Sequence, residues 1–372
     1  MHLSQMPLWQ RSLELAGRQP RSKEFNDFNP LKNADDWRQK RYGMTKLVDR
    51  FSRKIDYLRI SITDHCNLNC LYCAPFGGRR KLTHPEILSH EEIVRIVNGA
   101  VLAGISKVRI TGGEPLMRKG VVELCHLLSG IEGLESLTLT TNGVRLQEFA
   151  QQLYDAGVQR VNVSLDTLRP ERFKEITSRN LLFRVLGGIE MAEEVGLHPV
   201  KINTVVMRGV NDDEIEDFAR LTVERPYHVR FIELMPFNGF GDHESLFVPV
   251  EEIVKRVKRV GDLSLEPAAE SSGPARLCSL PGAKGKVGLI APLSYHFCGS
   301  CNRLRLTADG KLRTCLFSEE EIDIKGPLRA GASTEELADI YRLAATIKPH
   351  SHRLKCAEVE KTLGRDMQAI GG

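Results

Sequence analysis

The stretch that decides the fold runs from Tyr57-Leu-Arg-Ile-Ser-Ile62 into Thr63-Asp-His-Cys66-Asn-Leu-Asn-Cys70-Leu-Tyr-Cys73. Its first half is rich in β-branched and aromatic residues and reads as a short strand. Its second half sets three thiols in a C-x₃-C-x₂-C run just past the strand's carboxyl end. Five more short β-type runs follow: Lys107–Thr111, Ser136–Thr141, Arg160–Ser164, Lys201–Val206 and His228–Glu233. Apolar residues at helical spacing fill the gaps. Ser89 and Glu92 form a capping-box pattern ahead of Ile93, Ile96, Val97, Ala100 and Val101, with Gly104 as the stop. Leu146, Phe149, Ala150 and Leu153 repeat the pattern up to Gly157, and Asn211 with Glu214 predicts a third box before Ile215, Phe218 and Ala219.

Repeated strand–helix units imply parallel strands joined by right-handed crossovers. An open doubly wound sheet and a barrel both satisfy that pattern. The unusual polar motifs follow the strands one after another: Cys66–Cys73, Thr111-Gly-Gly-Glu-Pro115, Thr141-Asn-Gly143, Ser164-Leu-Asp166 and Glu233-Leu-Met-Pro236. An open sheet gathers its site at one switch point, whereas a barrel spreads it over the carboxyl ends of many strands. The expected fold is therefore α/β, a partial (β/α)6 TIM-type barrel over residues 51–262. Residues 263–372 form a C-terminal cluster-binding domain, and residues 1–50 an N-terminal extension of unknown role.

The C-terminal part carries a second triplet, Cys298-Gly-Ser-Cys301 and Cys315. Asn302–Ala308 and Lys311–Phe317 flank Asp309-Gly310 and predict a hairpin that returns Cys315 towards Cys298 and Cys301. Arg303 and Arg305 share one face of its first strand; Leu304 and Leu306 take the other. Gly282–Gly288 lacks the spacing of a phosphate loop and reads as a turn.

Each triplet offers three thiolates where a closed iron–sulfur or zinc site takes four ligands. An open metal position suits a reactive cluster. A zinc knuckle completed by His65 or His84, and a structural zinc completed by Cys278 or His296, are the competing readings. The Gly112-Gly113 turn lets backbone approach a ligand closely. Arg59, Arg109, Lys201, Arg230, Arg303 and Arg305 in or beside strands predict a cationic cavity for a multiply charged anion such as a triphosphate; pairing with the chain's own acids is the alternative.

Composition sets the limits. The chain has 372 residues, 41% hydrophobic and 27% charged, with a net charge of +4 and nine cysteines. That suits a globular protein of one large or two ordinary domains, with no membrane partner and no basic nucleic-acid-binding tail. Cys125, Cys278 and Cys356 stand apart as ordinary thiols. Thiolate clusters favour a reducing, cytoplasmic setting. No secretion signal is read at the amino terminus, and its acids, Glu14, Glu24, Asp27, Asp35 and Asp36, argue against a mitochondrial transit peptide.

Cys66–Cys73 with TGGEP resembles the radical S-adenosylmethionine superfamily. Together with DYLRISITDHCNLNC, RITGGEPLMR, TTNG, VSLD, KINTVVMRGVND, RFIELMPF, FCGSCNRLRLTADGKLRTCL and the terminal Gly371-Gly372, the chain resembles its GTP 3′,8-cyclase family from about residue 50 to the end. Other radical enzymes with an auxiliary cluster, such as peptide-modifying maturases, and iron–sulfur electron carriers are the rival readings.

The resemblance implies a barrel of the radical-enzyme kind and two [4Fe–4S] clusters, held by Cys66, Cys70 and Cys73 and by Cys298, Cys301 and Cys315. S-adenosylmethionine would sit near Tyr72, Gly113, Ser164 and Met235. GTP would sit near Arg59, Arg109, Thr140, Lys201, Arg303, Leu304 and Arg305, with its guanine at the second cluster's open iron. No residue is implied as an acid or base; Arg303 and Arg305 position substrate. The implied reaction is hydrogen removal from the ribose C3′ by a 5′-deoxyadenosyl radical, then attack on guanine C8, as the first step of molybdenum cofactor biosynthesis. The implied partners are an electron donor such as flavodoxin or ferredoxin and the next pathway enzyme, cyclic pyranopterin monophosphate synthase. The chain would act as a monomer or homodimer, its double-glycine tail reaching towards the site. His65 and Ala74 depart from the arginine and methionine common at those places in the family.

Overall fold

The structure, a computed structural model, describes residues 46–73, 81–236, 243–267, 273–352, 365 and 367–371. The extension up to residue 45, Ala74, Cys356 and Gly372 lie outside the described residues.

All six expected strands form: β1 (Tyr57–Ser61), β2 (Lys107–Thr111), β3 (Ser136–Thr141), β4 (Arg160–Ser164), β5 (Lys201–Val206) and β6 (His228–Glu233). Each pairs with the next in parallel. The crossovers carry α1 (His90–Ala103), α2 (Val121–Ser129), α3 (Leu146–Asp155), α4 (Pro170–Thr177), α5 (Leu182–Glu194) and α6 (Ile215–Glu224). On α1 both halves of the Ser89–Glu92 box are made, Gly104 ends the helix at φ 112°, and Ile93, Ile96, Val97, Ala100 and Val101 are buried. Burying an isoleucine or valine stabilises by about 1.5–3 kcal/mol, so that stripe fixes the helix to the sheet more firmly than its cap does.

Later strands extend the same sheet. After β7 (Ser264–Leu265) come β8 (Arg276–Ser279), β9 (Lys286–Ile290), β10 (Arg303–Leu306), β11 (Lys311–Arg313) and β12 (Ile322–Asp323). β9 joins β6 in parallel and β10 joins β1 in parallel. The order is β12-β11-β10-β1-β2-β3-β4-β5-β6-β9-β8-β7, so the barrel wall is extended at both edges and does not close on itself. Residues from Thr45 onward belong to one compact unit. The hairpin across Asp309-Gly310 forms, with shorter strands than expected and Gly310 at φ 79°. The Gly282–Gly288 stretch is a turn only at its start; from Lys286 it is β9.

A long C-terminal helix, α7 (Thr334–Ile347), lies against α1. A Cβ added to Gly99 would sit 2.7 Å from Leu337 Cβ, so the absence of a side chain there permits the contact. Among the described residues no helix is long and apolar enough to cross a membrane.

The third expected capping box does not form. Asn211 Nδ2 donates to the Asp166 and Val205 carbonyls and its Oδ1 accepts from Met207 N–H. Glu214 is fully buried and accepts from Thr167 Oγ1 and Leu168 N–H. Buried amide and carboxylate groups must be satisfied where they lie. Here they stitch the loops after β4 and β5 rather than capping α6.

Candidate active site

All six cysteines of the two triplets line one cavity of about 500 Å³ that runs along the inner face of the barrel strands, the first triplet past the carboxyl end of β1 and the second at the amino end of β10, which runs parallel to β1. None of the six is in a disulfide.

The first triplet sits in the loop after β1. Asn69 and Leu71 N–H groups donate to Thr177 and Ile176 carbonyls at the end of α4, which pins the loop. Leu68 N–H and Asn142 Nδ2 donate to Cys66 Sγ at 3.4 and 3.7 Å. The surroundings are acidic. Burial raises the Cys66 thiol, and Glu114 adds to the rise; burial raises Cys70 further, with Cys73 and Asp166 adding to it. Glu114 accepts from Asn142 and Leu116 N–H and from Thr141 Oγ1, joining the TGGEP and TTNG loops, and burial lifts its own pKa to about 7. Asp166, lifted by burial to about 6, accepts from Tyr72 Oη at 2.7 Å.

The two glycines serve a different neighbour from the one expected. A Cβ on Gly113 would lie 2.4 Å from the His65 carbonyl oxygen, and one on Gly112 2.7 Å from that of Thr63. Gly113 N–H already donates to Thr63 O at 2.7 Å. The pair lets TGGEP lie directly against the segment leading into Cys66, and that amide is committed to the protein.

The second triplet is built by the 3₁₀ turn Cys298–Ser300 and by Cys315, just beyond β11. Its surroundings are cationic. Burial pushes the Cys301 thiol up, but Arg303 and Lys348 outweigh it and bring the pKa to about 6. Of the two residues named for a zinc alternative, Cys278 is buried in β8, apart from the cavity lining. His296 does come close: its ring nitrogen, Cys298 Sγ and a His352 nitrogen lie within 4.8 Å of one another. At the first triplet, His65 is largely exposed and near Asp64.

Between the triplets stands a wall of positive charge. Arg59, Arg109, Lys201, Arg230, Arg303 and Arg305 all line the cavity, joined by Lys107 and Arg160. Among the described residues no aspartate or glutamate lines it. The strand register stacks like charges side by side, with Arg59 opposite both Arg305 and Arg109. Directly opposed like charges destabilise a sheet. Burial and then Arg230, Arg160 and Arg109 lower Lys201 to about 6; burial and then Arg109 lower Arg230 to about 9; burial and then Arg303 lower Arg305 to about 10. Lys107 pairs with Asp56 at 2.8 Å. Several wall groups are buried without a hydrogen-bond partner: Tyr57 Oη, Thr140 Oγ1, Asn162 Oδ1, Asn203 Oδ1, Arg230 Nε and Arg303 Nε. Buried polar groups are normally satisfied. These open donors and acceptors, on a cationic wall, fit a large polar anion.

Tyr72, Gly113, Ser164, Met235, Arg59, Arg109, Thr140, Lys201, Arg303 and Arg305 all line this cavity. Leu304 does not: it alternates away from its arginine neighbours and is fully buried behind the wall. Gly371, at φ 69°, accepts from Arg305 Nη1 at 2.8 Å, and a Cβ there would lie 2.2 Å from Thr111 Oγ1. Sequence reasoning missed Arg160, Asn162 and Asn203. The two-residue period counted back from Ser164, and forward from Lys201, marks all three as inward-facing. It also missed Lys348, which no local pattern singles out.

Residues 60–222 match the Radical SAM superfamily, and residues 227–354 match the family described as Molybdenum Cofactor Synthesis C. The chain is 51% identical over 326 residues to the GTP 3′,8-cyclase of Moorella thermoacetica, covering 88% of this chain and 100% of that protein. It is 50% identical to the GTP 3′,8-cyclase of Thermodesulfovibrio yellowstonii, with coverage of 88% and 100%, and 47% identical to that of Geobacter sulfurreducens, with the same coverage. The crystal structure of Streptococcus suis SuiB bound to S-adenosylmethionine superposes with a TM-score of 0.56 at 14% identity, covering 94% of this chain and 88% of that one, a likeness of fold. With half its residues shared over the full length of such relatives, the chain belongs to the GTP 3′,8-cyclase family of the radical S-adenosylmethionine superfamily.

Proposed function

We propose that this chain converts GTP into (8S)-3′,8-cyclo-7,8-dihydro-GTP, the first step of molybdenum cofactor biosynthesis. The observation that carries the reading is one cavity holding two sets of three thiols and a cation wall with no carboxylate on it among the described residues.

The donor sets suit the two [4Fe–4S] clusters of the family. Each is three soft sulfur ligands in mutual electrostatic contact, with none paired to another as a disulfide. Cys66, Cys70 and Cys73 would hold one cluster, and Cys298, Cys301 and Cys315 the other. When bound, the first cluster and S-adenosylmethionine supply the radical chemistry that removes the ribose C3′ hydrogen and opens the ring closure to guanine C8.

The chain's own residues do the rest. Arg59, Arg109, Lys201 and Arg230 offer the triphosphate charge-assisted hydrogen bonds, with Lys201 taking up a proton as the phosphates arrive. Arg303 and Arg305, the part of that wall beside the second triplet, align the nucleotide so that its ribose faces the first triplet. Such alignment is worth up to about 7–11 kcal/mol when both ends of a reactant are fixed. Met235, Leu316, Phe317 and Met367, packed around Ile370, put an apolar lid beside the site and exclude water from it. A small reducing protein such as flavodoxin or ferredoxin supplies two electrons per product, one for S-adenosylmethionine cleavage and one that, with a proton from solvent, completes the nucleotide after ring closure.

The test is anaerobic incubation of reconstituted protein with S-adenosylmethionine, dithionite and GTP, read by mass spectrometry. The reading requires an isomer of GTP formed alongside 5′-deoxyadenosine. If 5′-deoxyadenosine forms while GTP is untouched, the radical chemistry stands and the substrate assignment fails.

A further inference from the structure

Lys348 caps the carboxyl end of α7 and is only 2% exposed. A lysine is almost never fully buried without a charged partner. Among the described residues no carboxylate faces this one. Its ammonium donates to the Arg303 carbonyl at 2.8 Å and to the Thr314 carbonyl at 2.6 Å. These two bonds place the ammonium beside the Cys301 thiol, whose pKa it helps to lower. Burial lowers its pKa, with Arg53 and Arg303 adding to that, while Cys301 and Cys315 beside it oppose the fall and favour the charged form. The two carbonyls belong to the arginine facing the nucleotide side of the wall and to the residue before Cys315. One ammonium therefore ties together the three parts of the second triplet's frame.

The chain that follows is held to the same place. Arg53, itself buried and paired with Asp49, donates to the carbonyls of Cys298, Pro349 and His350 at 2.7, 2.7 and 2.9 Å. The His352 ring Nε2 lies 3.0 Å from the Pro292 carbonyl, and a His352 ring nitrogen lies within 4.8 Å of Cys298 Sγ. Residues 348–352 thus lie against Cys298 and the two segments that carry Cys301 and Cys315. The placement of α7 against α1 at Gly99 brings the strap's first residue to the triplet.

We propose that Lys348 is a positioning residue that sets the reduction potential of the second cluster, with the strap 348–352 as its support. This rests on the reading above that Cys298, Cys301 and Cys315 hold that cluster. Hydrogen bonds to the sulfurs and nearby charge are what tune an iron–sulfur potential. The one-electron reduced cluster carries one more negative charge than the oxidised form, so an ammonium fixed beside its ligands stabilises it and raises the potential.

The experiment is a potentiometric titration with dithionite and mediators, followed by EPR, on reconstituted full-length protein carrying Lys348→Gln, Lys348→Arg or neither. Glutamine keeps amide donors near the two carbonyls and removes the charge. The expected result for Lys348→Gln is a tenfold lower ratio of reduced to oxidised second cluster at fixed potential, a shift of ~59 mV for a one-electron couple. The first cluster should be unmoved and Lys348→Arg should restore the native value. An unchanged second-cluster potential in Lys348→Gln, with iron content intact, overturns the proposal. If Lys348→Gln sheds half its iron, the native protein grown with ε-¹⁵N-lysine decides by ENDOR of the reduced second cluster. A lysine nitrogen coupling supports the assignment, and its absence overturns it. A Cys298/Cys301/Cys315→Ala protein that keeps its full iron would instead sink the underlying reading.

Discussion

Cys70 and Cys301 are the same residue type on the wall of the same cavity, yet their surroundings push them in opposite directions. Burial raises the Cys70 thiol well above its ordinary range, helped by Cys73 and Asp166, whereas Arg303 and Lys348 bring Cys301 down to about 6. The first triplet is framed by the buried carboxylates Glu114 and Asp166, and the second by buried cations. A cluster in acidic surroundings is harder to reduce and, once reduced, a stronger donor; one among cations is easier to reduce and attracts anions. On the proposed reading, these opposite settings suit the two similar donor sets to different work, one to deliver an electron and one to receive a nucleotide.

Removing a triplet should break that comparison most sharply. Replacing Cys70 by Ala should abolish 5′-deoxyadenosine formation with or without GTP. Replacing Cys301 by Ala should spare uncoupled S-adenosylmethionine cleavage while GTP turnover disappears. Equal loss of both activities in both variants, measured by chromatography of 5′-deoxyadenosine, would erase the division of labour.

Next come the arginines at the second triplet. Arg303→Ala and Arg305→Ala each remove a charge-assisted group worth about 1.5–3 kcal/mol, which corresponds to roughly 10- to 100-fold weaker GTP binding by calorimetry. Cyclisation should fall while uncoupled cleavage persists. Full cyclase activity in either variant would remove their assigned role.

Glu114→Gln sharpens the acidic side. The carboxylate accepts three hydrogen bonds, two from backbone N–H groups. An amide cannot accept all three without turning a donor towards one of them, so stability should fall by about 1–3 kcal/mol in a denaturant titration, with GTP affinity little changed. A large loss of GTP affinity at native stability would show that the two frames are not separate.

The smallest effect concerns protons. Lys201, lowered to about 6 by burial and then by Arg230, Arg160 and Arg109, is mostly neutral at pH 8 in the free protein. Triphosphate raises its pKa in the complex, so binding at pH 7–8 takes up a proton and affinity falls as pH rises through that range. Calorimetry in buffers of different ionisation enthalpy should detect the uptake, and Lys201→Met should abolish it. Equal uptake in both proteins would place the proton elsewhere.

Much of the barrel was legible because alternation, caps and turn residues are local signals. Strands β2 to β6 begin and end where the β-branched runs do, and the inward phase of Arg303 and Arg305 follows from their spacing alone. What was not legible is long-range. The pairing of β10 with β1 and of β9 with β6, which carries the C-terminal strands onto the barrel edges, has no signature within either strand. Asn211 and Glu214 have the spacing of a cap, but tertiary partners after β4 take both side chains. Gly113 was read as making room for a ligand, whereas the close neighbour is the His65 carbonyl. Lys348 looks like any lysine ending a helix until its two carbonyl partners, either side of the second triplet's strands, are seen together.

The central claim is that the cation wall holds GTP with its ribose facing the radical chemistry of the first triplet. GTP carrying deuterium at C3′ tests it most directly, by mass spectrometry of the 5′-deoxyadenosine formed in one anaerobic turnover. The account predicts that the deuterium moves into 5′-deoxyadenosine and that a GTP isomer lacking it appears in equal amount. Unlabelled 5′-deoxyadenosine with the deuterium still on the nucleotide would contradict the account.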